Sequence, residues 1–448
     1  MAMQRGTLCG LIALAMTACG GAGDDGRTSN GGSGIPGGAD GGTDAATGGD
    51  AGDGAGDAGQ DGGDQGSAGD GVDDGPGGGG NTPLFDVGAM PDFGDQAGCG
   101  DSGGLSYSYI WIANSSQNTV SKIDTQTLVE EGRYYTRPDL SGNPSRTSVN
   151  LVGDVAVGNR SGGLTKYYAN PDNCVDLNGN GVIDTSTGAA DIRPYADEEC
   201  RAWHTPFNYS SQRPVAWSQG QWDESTCSQI NQKVWTTGVL NGVIEVVLVD
   251  GDTGIVEDNV MVPEVAPNYF GFYGGAVDAD GNFWASQLGG GTLIKVDLAD
   301  LSNYQLWPTQ YGGYGMTVGA SGYVFTCSTQ VGRFDPVTQT WSGNTVGGSG
   351  GCMEDANGIL WMANSPLVGV DVNTLQVVHS WPLPNYVHGV SIDFEGHVWG
   401  VSMSTDAYRV DPNTGVFDTV SGLIGPYTYS DMTGFALQAV GGGGPPTG

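Results

Sequence analysis

Positive charge is scarce in this sequence: 15 Lys+Arg stand against 50 Asp+Glu in 448 residues, a net charge of −35. Nucleic acid and anionic membrane surfaces would repel such a chain, so neither is an expected partner. Histidine is scarcer still, at four copies, and no two cysteines stand at Cys-x-x-Cys spacing, which argues against zinc. No Gly-x-Ser-x-Gly elbow, Walker loop or paired-carboxylate motif is present, so the familiar signatures of serine hydrolases, nucleotide enzymes and glycosidases are missing.

What is present begins with an address. Arg5, an apolar run from Leu8 to Met16 and then Thr17-Ala18-Cys19 read as a bacterial lipoprotein signal peptide over residues 1–18. Cys19 is the expected lipidation site, so the membrane is met only through an N-terminal lipid. Gly20 is not the Asp used for inner-membrane retention, which points to an outer membrane lipoprotein, periplasmic or surface-exposed. Residues 19–82 are nearly all Gly, Asp, Ala and Thr, with Arg27 the one cation. They cannot bury enough apolar surface to fold, and are expected to form a disordered tether with a reach of roughly 45 Å. A lead-in segment, 83–106, follows.

From residue 107 to 440 a short unit recurs: "VDADGNFWASQ", "VGASGYVFTCS", "EDANGILWMAN" and "IDFEGHVWGVS", each followed by a strand such as "IKVDLAD" or "YRVDPNT". Four short strands per unit of roughly 36 to 49 residues predict an all-β, seven-bladed β-propeller. The second-strand aromatic position falls on Trp111, a degenerate Ala156, Trp235, Trp284, Phe325, Trp361 and Trp399. The first unit, at "YIWIANS", lacks its innermost strand. Asp431 to Val440 has the length and alternation to supply it, closing the ring with a C-terminal strand. The aspartates of the Asp-x-x-Gly turns, Asp280 and Asp355 among them, read as turn structure rather than catalysts. Residues 441–448 are expected to be a flexible tail, and the whole a monomer.

Cys9 belongs to the signal and Cys19 to the lipid, leaving six cysteines that predict disulfides in an oxidising compartment. Cys174 with Cys200 brackets one inserted loop, Cys327 with Cys352 joins consecutive blades, and Cys99 with Cys227 remains by elimination. The insertion, 172–204, carries the sharpest motif of the chain. Asp176, Asn178, Asn180, the Val182 carbonyl and Asp184 fall at the oxygen-ligand positions of an EF-hand- or dockerin-type loop, with Gly181 at the sharp turn. Structural Ca²⁺ is the expected cofactor. Thr187 replaces the bidentate Glu at the twelfth position, so Asp191 or Glu198 is needed to complete the shell.

Repeat alignment gathers Arg146, Arg213, Tyr273, Tyr314, His388 and Tyr429 at the mouth of the central funnel, where they suit a planar or anionic ligand. His388 is the candidate for proton transfer. His397 is expected in a solvent-facing turn, and His204 as an anchor of the inserted loop.

The blades "VHGVSIDFEGHVWGVSM" and "GGCMEDANGILWMANS" resemble those of the streptogramin (virginiamycin B) lyases and their NHL-like relatives. The resemblance spans 107 to 440. It implies a seven-bladed ring, Mg²⁺, and ester opening by elimination with two histidines and two glutamates. His388 matches the final histidine. Tyr386 stands at the glutamate two positions earlier, Met403 at the second-strand glutamate, and the partner histidine falls near Ser349 and Gly350. Mg²⁺ therefore belongs only to a lyase-like alternative centred on His388. The leading expectation is a non-enzymatic module that binds a glycan, peptide or protein, with a purely structural envelope protein as the third reading.

Overall fold

The computed structural model describes residues 108–223, 225 and 228–441. Cys19, Cys99, Cys227, the tether, the lead-in and the last seven residues lie outside the described residues.

Seven antiparallel sheets follow one another along the chain. Blade 1 contains β1 (Tyr109–Asn114), β2 (Thr119–Asp124) and β3 (Glu130–Tyr135). Blade 2 contains β4 (Pro144–Val149), β5 (Val155–Asn159), β6 (Leu164–Tyr167) and β7 (Arg201–Thr205). In blade 3, β8 (Gln212–Trp217) leads through a small hairpin, β9 (Gln221–Asp223) and β10 (Ser228–Ile230), to β11 (Lys233–Leu240), β12 (Val243–Asp250) and β13 (Val256–Val262). Blade 4 runs from β14 (Phe272–Val277) through β15 (Phe283–Gln287) and β16 (Thr292–Val296) to β17 (Tyr304–Pro308). Blade 5 consists of β18 (Gly315–Val318), β19 (Val324–Cys327), β20 (Gln330–Asp335) and β21 (Thr340–Thr345). Blade 6 consists of β22 (Cys352–Glu354), β23 (Ile359–Met362), β24 (Leu367–Asp371) and β25 (Val377–Trp381). Blade 7 ends the series with β26 (Val387–Ile392), β27 (Val398–Ser402), β28 (Asp406–Val410) and β29 (Phe417–Ser421).

The innermost strands pack side by side in chain order, β4 on β8, β8 on β14, β14 on β18, β18 on β22 and β22 on β26. The protein is a seven-bladed β-propeller. Each sequence-assigned aromatic position, Ala156 included, falls on the second strand of its blade. Trp111, Trp235, Trp284, Trp361 and Trp399 are at most 1% exposed. They fill the space between neighbouring sheets, where a large flat ring buries most surface per side chain.

The ring closes in the expected blade but with a different segment. Residues 426–432 run antiparallel to β1, with Tyr427 N–H donating to the Ala113 carbonyl at 3.0 Å and Trp111 N–H to the Met432 carbonyl at 2.8 Å. The stretch assigned to the closing strand, Asp431 to Val440, instead coils into the helix α1 (Phe435–Gly441). Asp431 turns the chain by accepting the N–H groups of Thr433, Gly434 and Leu437, which satisfies donors at the helix start. Phe435, Leu437 and Val440 bury one face of α1 against the inner sheets.

The inserted loop lies between β6 and β7 and ends at Cys200. Residues 201–204, assigned to the insertion from sequence, form the outermost strand of blade 2. Two of the three expected disulfides, Cys174–Cys200 and Cys327–Cys352, are present, and the cysteines of the third, Cys99 and Cys227, lie outside the described residues.

Candidate functional site

All six funnel residues cluster together, Arg146, Arg213, Tyr273 and His388 near the starts of β4, β8, β14 and β26, Tyr314 just before β18 and Tyr429 on the closing segment. Three sit at β-bulges, Arg213 among them, since the pairing of β11 with β8 leaves Arg213 and Pro214 opposite Thr237 alone. The pairing of β14 with β15 jumps from Phe272 to Gly274, and that of β26 with β27 from Val387 to Gly389, so Tyr273 and His388 are the extra residues. A bulge re-aims the side chain it carries, here into the channel. A Cβ on Gly389 would strike the Thr428 carbonyl, which is why a glycine follows the bulged histidine where the closing segment passes.

The cluster is a packed plug rather than an open funnel. The Tyr273 hydroxyl lies 2.9 Å from that of Tyr314 and 3.0 Å from that of Tyr427, and the Tyr314 and Tyr427 hydroxyls also touch. The His388 ring packs edge-on against Tyr314 at 4.8 Å and Tyr429 at 5.3 Å, and its Nδ1 lies 2.9 Å from the Tyr386 hydroxyl. Arg146, buried, donates to the Ser145 and Tyr273 carbonyls and lies 3.2 Å over the Tyr429 ring. Arg213 covers Phe270 at 4.8 Å and Tyr273 at 5.3 Å. Burial and the Tyr273 hydroxyl push the Tyr427 phenol above its ordinary range, so Tyr427 stays protonated at neutral pH. Tyr386 is thus a hydrogen-bond partner of His388. Among the described residues no group of three or more His, Cys, Asp or Glu side chains could hold a metal ion.

Open space lies off the axis. A cleft of about 590 Å³ sits on the same face between blades 1, 2 and 7. Ser115, Ser116, Asn118, Ser141, Asn143 and Ser161 line it with Arg160, Met403 and Tyr427, and no acid is among the lining residues. The Arg160 guanidinium lies 4.1 Å over the Tyr427 ring and donates to Asn143 Oδ1 at 2.5 Å, which holds its plane at the cleft wall. Sequence reading missed Arg160 and Tyr427 because they sit on the loop after β5 and on a closing segment that starts upstream of the expected one.

In the insertion, Asp176, Asn178, Asn180 and Asp184 converge. Asp176 accepts the N–H groups of Gly179, Asn180 and Gly181, while the amides of Asn178 and Asn180 each reach Asp184 Oδ2 at 2.8 Å. These backbone and amide donors hold both carboxyls below their usual range, so both are ionised at neutral pH. Thr187 turns away to Asp191, and Glu198 binds Thr185 and Ser186. The acid that reaches the loop is Glu199, which accepts the N–H groups of Leu177 and Asp184.

Two other histidines are structural. His204 bonds Thr165 at 2.8 Å and packs on Tyr195 of the insertion, and burial pulls its pKa down to about 4. His397 is only part-exposed, against the sequence expectation, because it leans on Asp393.

No protein-family model matches the chain, and no curated protein does. Similar solved structures include virginiamycin B lyase from Staphylococcus aureus, at 12% identity and TM-score 0.44, covering 64% of this chain and 87% of that one. A streptogramin B lyase is 13% identical at TM-score 0.48, covering 66% and 87%. A protein of unknown function from Bacteroides caccae is 12% identical at TM-score 0.40, covering 62% and 94%. The likeness is one of architecture. The seven-bladed ring itself rests on the strand pairing above, and no activity carries across from likenesses this distant.

Proposed function

We propose that the protein is a lipid-tethered, extracytoplasmic propeller that binds a glycan, an acidic one best, in the cleft beside Arg160. The carrying observation is the lining: hydroxyls, amides and one oriented guanidinium, without a carboxylate, on a chain that is otherwise strongly acidic. Hydroxyl and amide groups match the hydroxyls of a sugar, and a planar guanidinium matches a uronate or sulfate group. The volume suits one or two sugar rings. Pre-organisation of Arg160 on Tyr427 reduces the side-chain entropy lost on binding.

A peptide partner fits this lining less well, since Met403 and Pro426 supply its few apolar side-chain surfaces. The lyase-like alternative, with Mg²⁺, is weakened by His388 being 4% exposed behind tyrosines and by Tyr386 standing where a carboxylate is required. Mature protein applied to neutral and uronate-bearing oligosaccharides should retain the acidic set, and Arg160→Ala should lose it. Equal retention of both sets would refute the reading, and turnover of a streptogramin B with Mg²⁺ that His388→Ala abolishes would favour the enzyme.

Two supports of this reading lie outside the cleft. Anchoring rests on Cys19 and its preceding apolar run, and metabolic labelling should place an acyl chain there. The insertion presents two ionised carboxylates, two side-chain amides and the Val182 carbonyl, a hard-oxygen set that fits Ca²⁺ and would order the loop rather than catalyse. The Cys174–Cys200 disulfide closes the same loop, consistent with an oxidising compartment.

A further inference from the structure

Arg146 is 1% exposed and its guanidinium carries a charge that ordinary pH does not remove. A buried cation needs a counter-charge or a full set of acceptors. Its Nη atoms find two carbonyls, but Nε is buried without an acceptor, and among the described residues Arg146 makes no ion pair. The charged groups that act on it are two further guanidiniums, Arg213 and Arg160, and its other close neighbours are the Tyr273 and Tyr427 phenols. No carboxylate is among them.

A second donor is orphaned beside it. Tyr429 is 3% exposed, its ring lies under the Arg146 guanidinium at 3.2 Å, and its buried hydroxyl has no hydrogen-bond partner. Two buried donors without acceptors therefore belong to side chains stacked on one another in the axial cluster.

We propose that Arg146 and the Tyr429 hydroxyl hold a small monovalent anion, a halide or one of like size, as the resident counter-ion of the axial channel. The site is separate from the glycan cleft, because a sugar carboxylate cannot pass the tyrosine plug without displacing it. The anion accepts the Arg146 Nε–H and the Tyr429 O–H, and neutralises the Arg146 guanidinium.

The test uses mature protein freed of halide and titrated with chloride at constant ionic strength, gluconate being the replacing anion. Melting temperature should rise saturably with chloride, and bromide should substitute. Tyr429→Phe, which keeps the ring against Arg146, should weaken the effect about tenfold, the loss of one hydrogen bond to a charged group. Crystals grown in bromide should show an anomalous peak at Arg146 Nε. A melting temperature independent of chloride, an unchanged response in Tyr429→Phe, or a peak absent from Arg146 would each overturn the proposal. So would stabilisation by glucuronate in preference to chloride, which would make the site part of the glycan cleft.

Discussion

The indole of Trp399 donates to Asp393 Oδ2 at 2.8 Å, six residues upstream. The same bond joins Trp361 to Asp355 at 2.8 Å and Trp284 to Asp278 at 2.9 Å. In each case the other carboxylate oxygen accepts backbone N–H groups of the hairpin turn. One aspartate thus closes the turn and satisfies the buried indole. Where the tryptophan is replaced, the acceptor goes with it: Gly319 precedes Phe325 by six residues, and Asn150 precedes Ala156. In blade 4 the turn acceptor is Asp278, not the Asp280 singled out from sequence.

Replacing Asp393 by Ala should therefore cost about 2 kcal/mol, the penalty of a buried donor left without an acceptor plus the lost turn bond. Trp399→Phe on that background should cost less than the two changes summed, because the orphaned N–H is gone. Urea unfolding of the double-mutant cycle measures the coupling, and strict additivity would contradict the assignment.

Lys166 and Asp154 form an ion pair at 3.1 Å, each side chain 4% exposed, in blade 2, where Ala156 replaces the aromatic. Lys166→Met should destabilise by about 3 kcal/mol or more by leaving a buried carboxylate unpaired. Adding Asp154→Asn should recover part of that loss, and denaturant midpoints of the three variants check it.

Burial pushes the Asp431 carboxyl up to about 6. A raised folded-state value means that the native protein holds this proton longer than the unfolded chain. The group's contribution is therefore greatest below about pH 4 and is lost as pH rises through about 6. Asp431→Asn lacks this dependence. Its stability relative to wild type should climb between pH 4 and pH 7 by up to about 3 kcal/mol, read from urea unfolding at both values. A flat difference would show that Asp431 is ionised throughout.

Removal of calcium should lower the melting temperature of the mature protein, and Asp176→Ala should lose that sensitivity. Glu199→Gln should also weaken it, because Glu199 braces both ends of the loop. A melting temperature indifferent to chelator would reject the metal.

The blade register was legible because one interior position recurs: the aromatic must lie between sheets, and seven such positions can be counted. The disulfide of the insertion was legible from its bracketing spacing. The closing segment was not, because the short apolar run Phe435 to Val440 fits a strand or a helix turn equally. What decides is Asp431 capping the N–H groups that follow it. The six axial residues were found by alignment, but their packing into a plug depends on bulges at Tyr273 and His388 that leave no mark in the sequence beyond a following glycine. The cleft depends on which loops rise at blades 1, 2 and 7, and no local pattern records that.

The most direct test is a crystal structure of the protein with a uronate-bearing disaccharide. The account predicts density between blades 1, 2 and 7, with the sugar carboxylate on Arg160 and the Tyr273, Tyr314 and Tyr427 hydroxyls still in contact. Sugar bound on the axis with those tyrosines parted, or bound elsewhere with the cleft empty, would contradict it.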